Sequence, residues 1–175
     1  PKFPESEKMQ LGLVTEMAQA RGRYIEFCKS TFPAQLDLYD LNIVLDCANG
    51  ATELVAPVIF HELGANVTTI GCQSNGTNIN HGCGATDLRA LERAVVDQKA
   101  DLGIAFDGDG DRVMMVDHTG EQVNGDQLLC ILAKDNHSGI SCHKGIVGTL
   151  MSNLGLEQAL EQNGIAFTRT QVGDR

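Results

Sequence analysis

The sequence has no apolar run near the ~18–20 residues that a transmembrane helix needs, which excludes a helical membrane span. No charged-then-apolar stretch opens it, so no secretory signal is expected. Basic residues are scarce. Thirteen Lys and Arg against 23 Asp and Glu leave a net charge of −10, which argues against nucleic acid or an anionic membrane as the main partner. Cysteines spaced C-x-x-C are missing. Cys28, Cys47, Cys72, Cys83, Cys130 and Cys142 lie singly, several of them in apolar runs where a free thiol packs as a small hydrophobe. That usage excludes a disulfide framework and points to a reducing cytoplasm. A zinc set of Cys72, His81 and Cys83 matches no standard spacing. The glycines spell neither a P-loop nor a dinucleotide fingerprint.

What is present is a globular composition, 42% hydrophobic, with length for one full α/β domain and part of another. Residues 1–13 are polar and read as a connector. Apolar positions Val14, Met17, Ala18, Tyr24, Ile25 and Cys28 predict a helix over 14–32, with Tyr24 and Phe27 packed in the core and Pro33 favouring a stop. Residues 41–46 read as a buried strand and 47–50 as a tight turn. A helix follows over 51–63, closed by Gly64, unless it starts near Ala56 with Pro57 in its first turn. A strand over 66–70 leads into a long polar loop, 71–85, of a kind that is often functional. Thr86 is expected to cap a helix to Gln98 whose buried stripe is Leu88, Leu91, Ala94 and Val95. Two apolar strands form a hairpin over 102–116, with a turn at Thr119-Gly120. A new unit then begins: a helix over 124–134, a polar connection over 135–144, a strand over 145–150, a helix over 153–162 ending at Gly164, and a strand over 165–170. The domain reading is 1–13, 14–120 and 121–175, the last being the truncated start of a second α/β unit.

The chemistry concentrates in Asp107-Gly108-Asp109-Gly110-Asp111-Arg112, between the two strands of the hairpin. Two unit charges ~4 Å apart repel by roughly 4 kcal/mol at an effective dielectric near 20, so three converging carboxylates call for a cation. Glycines let the loop fold around one point. Hard oxygen ligands favour Mg²⁺, Mn²⁺ or Ca²⁺, and Arg112 is suited to a phosphate oxygen. An EF-hand does not fit, because its Gly and Glu positions hold Arg112 and His118 and its flanking helices are replaced by strands. An aspartyl-nucleophile phosphatase also places Asp-x-Asp after an apolar strand, but with Thr or Val where this chain has Asp111. A non-enzymatic divalent-ion module is the third reading.

The segment 106–112 resembles the metal loop of the α-D-phosphohexomutase superfamily. Gly22-Arg23-Tyr24-Ile25-Glu26-Phe27-Cys28, Asp46-Cys47-Ala48-Asn49-Gly50-Ala51, Asn78-Ile79-Asn80, Cys83-Gly84, Gly148-Thr149-Leu150-Met151-Ser152-Asn153 and Val172-Gly173-Asp174-Arg175 resemble its phosphoglucosamine mutase branch. The resemblance implies a phosphohexomutase-type α/β domain, a mixed sheet flanked by helices, followed by part of a similar domain. It implies Mg²⁺ held by Asp107, Asp109 and Asp111, a seryl phosphate held by Arg112, and a sugar phosphate substrate. The implied reaction is interconversion of glucosamine 6-phosphate and glucosamine 1-phosphate by a phosphoserine mechanism. The phosphomannomutase and phosphoglucomutase branches are the nearest alternative. None of Ser6, Ser30, Ser74, Ser138, Ser141 or Ser152 has the context of the family's nucleophile. The chain therefore resembles an internal fragment, the second domain and the start of the third. It is expected to be inactive alone and to bind Mg²⁺ weakly without the phosphoserine ligand. A homodimer is compatible with this reading.

Overall fold

Residues 42–46 and 102–106 carry nearly unbroken apolar runs because both lie at the centre of a sheet covered on two faces. The computed structural model describes residues 12–135 and 145–173. In chain order the elements are α1 (Ala20–Ser30), β1 (Asn42–Asp46), α2 (Ala56–Glu62), β2 (Asn66–Ile70), α3 (Arg89–Gln98), β3 (Leu102–Phe106), β4 (Val113–Asp117), β5 (Gln122–Val123), α4 (Gly125–Lys134), β6 (Ile146–Thr149), α5 (Leu154–Gln162) and β7 (Phe167–Thr170). The first sheet has the order β2-β1-β3-β4-β5. β1 runs parallel to β2 and β3, while β3, β4 and β5 are joined as antiparallel neighbours. The mixed sheet with flanking helices is as expected.

Strand alternation sorts the core into two layers. Val44, Ala105 and Val116 face α3 and meet Leu88, Leu91 and Val95. Ile43, Leu45 and Ile104 face the other way, toward Ala56 and Phe60 of α2. The second unit is smaller: β6 and β7 pair in parallel, and Leu156 and Leu160 of α5 pack with Ala133 of α4 and Ile146 of β6. Asn124 and Gln127 form a reciprocal capping box, which fixes where α4 begins. Among the described residues, no helix is long and apolar enough to cross a membrane.

Several expectations are corrected. The first helix is shorter than 14–32, and Val14 and Met17 lie outside it, exposed. Tyr24 and Phe27 are not core residues: they are 55% and 65% exposed, and Ile25 is the one buried residue of α1. The reason is position. α1 packs on α2 rather than on the sheet, pinned by Lys29 between Glu26 and Glu62, so only a narrow strip of it is covered. Thr86 does not cap α3. A 3₁₀ turn over Gly84–Thr86 takes up that stretch, the Thr86 hydroxyl donates back to the Cys83 carbonyl, and the helix starts at Arg89 without a side-chain cap. Before α2 the chain makes a 3₁₀ turn over Ala51–Leu54, so Pro57 falls in the first helical turn, where its missing N–H costs nothing. The two-residue β5 was not expected, since two residues carry no periodicity. The expected connector 1–13 lies outside the described residues except for Gly12 and Leu13, and the 135–144 connection lies outside them except for Asp135.

Cys47 sits at the end of β1 with no exposed surface. Burial, then a hydrogen bond with Cys72, push its thiol well above the ordinary value of 9.0. The folded protein holds this proton after the unfolded chain has lost it. Stability is therefore expected to fall as pH rises above about 9, by up to ~1.4 kcal/mol per pH unit from this group. Urea unfolding between pH 8 and 10.5 checks this, and the slope should flatten in Cys47→Ala.

Candidate metal centre

The first residue after β3 is Asp107, and it is 1% exposed. The chain then turns tightly. Gly110 N–H donates to the Asp107 carbonyl at 3.1 Å, with Gly110 at φ +79°, a conformation that disfavours any side chain. Arg112 closes the loop: its backbone N–H donates to Asp107 Oδ1 at 3.1 Å and its Nε to Oδ2 at 2.7 Å. β4 starts at the next residue. This path brings one oxygen each of Asp107, Asp109 and Asp111 within 4.8 Å of one another, the only such group of three potential metal ligands among the described residues. The zinc set of Cys72, His81 and Cys83 does not come together in this way.

Charge decides what the loop is fit to hold. Three carboxylates face one guanidinium, a local excess of two negative charges, and Asp109 and Asp111 are exposed. Burial alone raises the Asp107 pKa, but the Arg112 backbone N–H and guanidinium outweigh it and hold this carboxyl well below the ordinary range. Asp111 moves the other way: contact with Asp107, then burial and repulsion from both neighbouring carboxylates, raise it. One buried, permanently ionised carboxylate with two exposed partners in mutual repulsion is a donor set for a divalent, oxygen-seeking cation. Arg112 is two-thirds exposed, and its Nη atoms make no hydrogen bond among the described residues. Its outer edge therefore faces solvent.

The loop rests on two others. Ala51 N–H donates to the Gly108 carbonyl at 2.9 Å, and a Cβ on Gly50 would fall 2.3 Å from that same oxygen. On the other side, Ile79 and Asn80 of the 71–85 loop press against Gly108, and Asn80 Oδ1 is buried without a hydrogen-bond partner. The 71–85 loop, read from sequence as a long polar loop of a kind that is often functional, is thus a wall of the carboxylate loop. Its amides are occupied in holding it: Asn78 accepts from Asn75 N–H and donates to the Gln73 carbonyl, and Asn49 accepts from Gln73 N–H. Beside it lies a polar cleft of about 470 Å³ lined by Asn49, Asn75, Asn78, His81 and Cys83. Sequence reasoning gave Asn80 no individual role, and its signals were a position in an Asn- and Gly-rich stretch and its place in the Asn78-Ile79-Asn80 resemblance.

Residues 22–120 match the family described as phosphoglucomutase/phosphomannomutase, alpha/beta/alpha domain II, and residues 124–175 match its domain III. The chain is 59% identical over 169 residues to a phosphoglucosamine mutase of Photorhabdus laumondii subsp. laumondii and 58% identical over 169 residues to one of Escherichia coli O1:K1 / APEC. Each alignment takes 97% of this chain but 38% of the relative, so the chain spans well under half the length of the curated relatives it matches. Among solved structures, a phosphoglucomutase/phosphomannomutase family protein from Burkholderia thailandensis superposes with a TM-score of 0.71 at 23% identity, covering 87% of this chain and 33% of that one. An N-acetylphosphoglucosamine mutase from Aspergillus fumigatus, solved in complex with GlcNAc-6P and magnesium, superposes with a TM-score of 0.60 at 20% identity, covering 86% of this chain and 34% of that one. At these identities the two structures speak for the shared fold alone.

Proposed function

This chain belongs to the phosphoglucomutase/phosphomannomutase family, and on that premise we propose that it is the metal-binding portion of a phosphoglucosamine mutase, interconverting glucosamine 6-phosphate and glucosamine 1-phosphate. The observation that carries the proposal is the gathered triad of Asp107, Asp109 and Asp111 beside Arg112, in a chain 59% identical to a phosphoglucosamine mutase. Asp107, Asp109 and Asp111 would hold Mg²⁺, which would supply charge stabilisation for phosphoryl transfer. Asp107 serves as the fixed ligand, because Arg112 locks both its oxygens in place before any cation arrives. Asp109 and Asp111, both exposed, would complete the donor set. Arg112 presents its free guanidinium edge to a phosphate oxygen, where a planar, permanently charged donor pair is the suited partner.

The aspartyl-nucleophile alternative predicts a phospho-Asp at Asp107, and the match of residues 22–120 to the phosphoglucomutase/phosphomannomutase family speaks against it. In this reading the nucleophilic serine lies elsewhere in the full-length protein, and these 175 residues alone are expected to show no mutase activity. The free cysteines, Cys28, Cys47, Cys72, Cys83 and Cys130 among the described residues, support a reducing cytoplasmic setting.

The test is product formation by the full-length protein carrying this chain, from glucosamine 6-phosphate against mannose and glucose 6-phosphates, with Mg²⁺ and with chelator. Mg²⁺-dependent preference for glucosamine 6-phosphate is expected. Preference for mannose or glucose would move the protein to another branch of the family, and release of inorganic phosphate would revive the phosphatase.

A further inference from the structure

Asp46 ends β1 with 0% exposure, and among the described residues it has no ion pair. A buried carboxylate without a cation is costly and is kept only where backbone N–H groups satisfy it. Its two oxygens accept from two different segments: Oδ1 from Ala48 N–H at 3.0 Å and Oδ2 from Gly84 N–H at 2.7 Å. Ala48 and Asn49, two and three residues on, are held at positive φ (54° and 50°), a conformation that asparagine tolerates but that alanine adopts only when its surroundings impose it. Ala48 passes the constraint on, since its carbonyl accepts from Asn80 N–H at 2.9 Å.

Both tethered segments touch the carboxylate loop. The 48–51 turn donates to Gly108 through Ala51, and Asn80 lies against Gly108 from the far side. Gly84 sits against the residue before Asp107: a Cβ there would be 2.6 Å from the Phe106 carbonyl oxygen. Thus one buried carboxylate ties together the two walls between which residues 106–108 are seated.

We propose that Asp46 is a positioning residue for the 107–112 loop: by binding Ala48 and Gly84 at once, it keeps Asp107, Asp109 and Asp111 gathered against their mutual repulsion. The proposal rests on the reading of that loop as a cation site.

The test uses the full-length protein with Mn²⁺ as the probe. Asp46→Asn keeps the shape but turns one acceptor into a donor aimed at a backbone N–H. Its apparent Kd for Mn²⁺ should rise by about 10–100-fold, as for other residues that orient metal ligands, and lost activity should return as Mg²⁺ is raised. A purely structural role would lower the unfolding temperature and leave the Mn²⁺ affinity of the folded protein unchanged. Gly84→Ala retains the carboxylate but, at φ +71° and with Ala48 Cβ 2.5 Å and the Phe106 carbonyl oxygen 2.6 Å from the new Cβ, it displaces the amide that Asp46 Oδ2 binds, so it should weaken Mn²⁺ binding by loosening the same tether. Hydrogen exchange in EDTA supplies a readout that needs no metal: amides of 107–112 should exchange faster in either variant. Unchanged Mn²⁺ affinity and unchanged exchange in the folded variants overturn the proposal. If the unsubstituted protein binds no Mn²⁺, the cation reading fails, and exchange in EDTA still decides the role of Asp46.

Discussion

Asp107→Ala in the full-length protein is expected to lower kcat/KM for phosphoryl transfer by about 10³-fold or more. A metal ion at a transferring phosphoryl group supplies several kcal/mol of charge stabilisation, and each ~1.4 kcal/mol is tenfold in rate. Asp107 should be the most sensitive of the three carboxylates. It is the buried one, it is ionised throughout the ordinary pH range, and it alone is fixed by two hydrogen bonds from Arg112. The same change frees Arg112 from its partner, so phosphate affinity should change along with metal affinity. Asp109→Ala provides the contrast. Its carboxylate is exposed and lies in a cluster with two excess negative charges. Removing it relieves repulsion in EDTA while still weakening metal binding. Thermal unfolding should therefore show Asp109→Ala at least as stable as the unsubstituted protein in EDTA and less stabilised by added Mg²⁺, following the mass-action gain from a ligand that binds only the folded state. Equal shifts with Mg²⁺ in both proteins, together with retained activity in Asp107→Ala, would remove the loop from the mechanism.

The carboxylate triad was legible in the sequence because it is local: alternating Asp and Gly between two apolar runs encode a turn whose side chains converge within six residues. The strands and most helices were legible for the same reason, since apolar periodicity of 2 or 3.6 is written along the chain. What failed depended on neighbours distant in sequence. Tyr24 and Phe27 have the spacing of a helix face, but spacing says nothing about whether a second layer covers that face, and α1 packs mainly on α2. Thr86 has cap chemistry, but the chain near it is shaped by Gly84, whose left-handed backbone is fixed by Asp46, 38 residues earlier. Asp46 itself reads as the polar end of a buried strand. Its importance lies in two hydrogen bonds, and the one reaching Gly84 has no sequence signal.

Gly50→Ala tests how tightly the fold holds the loop without touching any ligand. Gly50 is not constrained by a left-handed φ, since its backbone is extended at φ −121°, so alanine is compatible with the backbone there. The obstacle is contact: the new Cβ would sit 2.3 Å from the Gly108 carbonyl oxygen and 2.8 Å from Gly108 Cα. Both are backbone atoms, so no side-chain rotation can relieve the contact. The overlap must displace either the 48–51 turn or Gly108, and with Gly108 the position of Asp107. Overpacking of this kind costs typically ~1–3 kcal/mol of stability. A displacement of ~1 Å at a catalytic group is enough for about a 10²-fold loss of rate. Gly50→Ala should therefore lose about 10²-fold in kcat while remaining folded, with a raised Mg²⁺ requirement. A Gly50→Ala protein with full kcat at low Mg²⁺ would show that the loop is more pliant than this packing allows, and that the carboxylates find their places from the cation rather than from the fold.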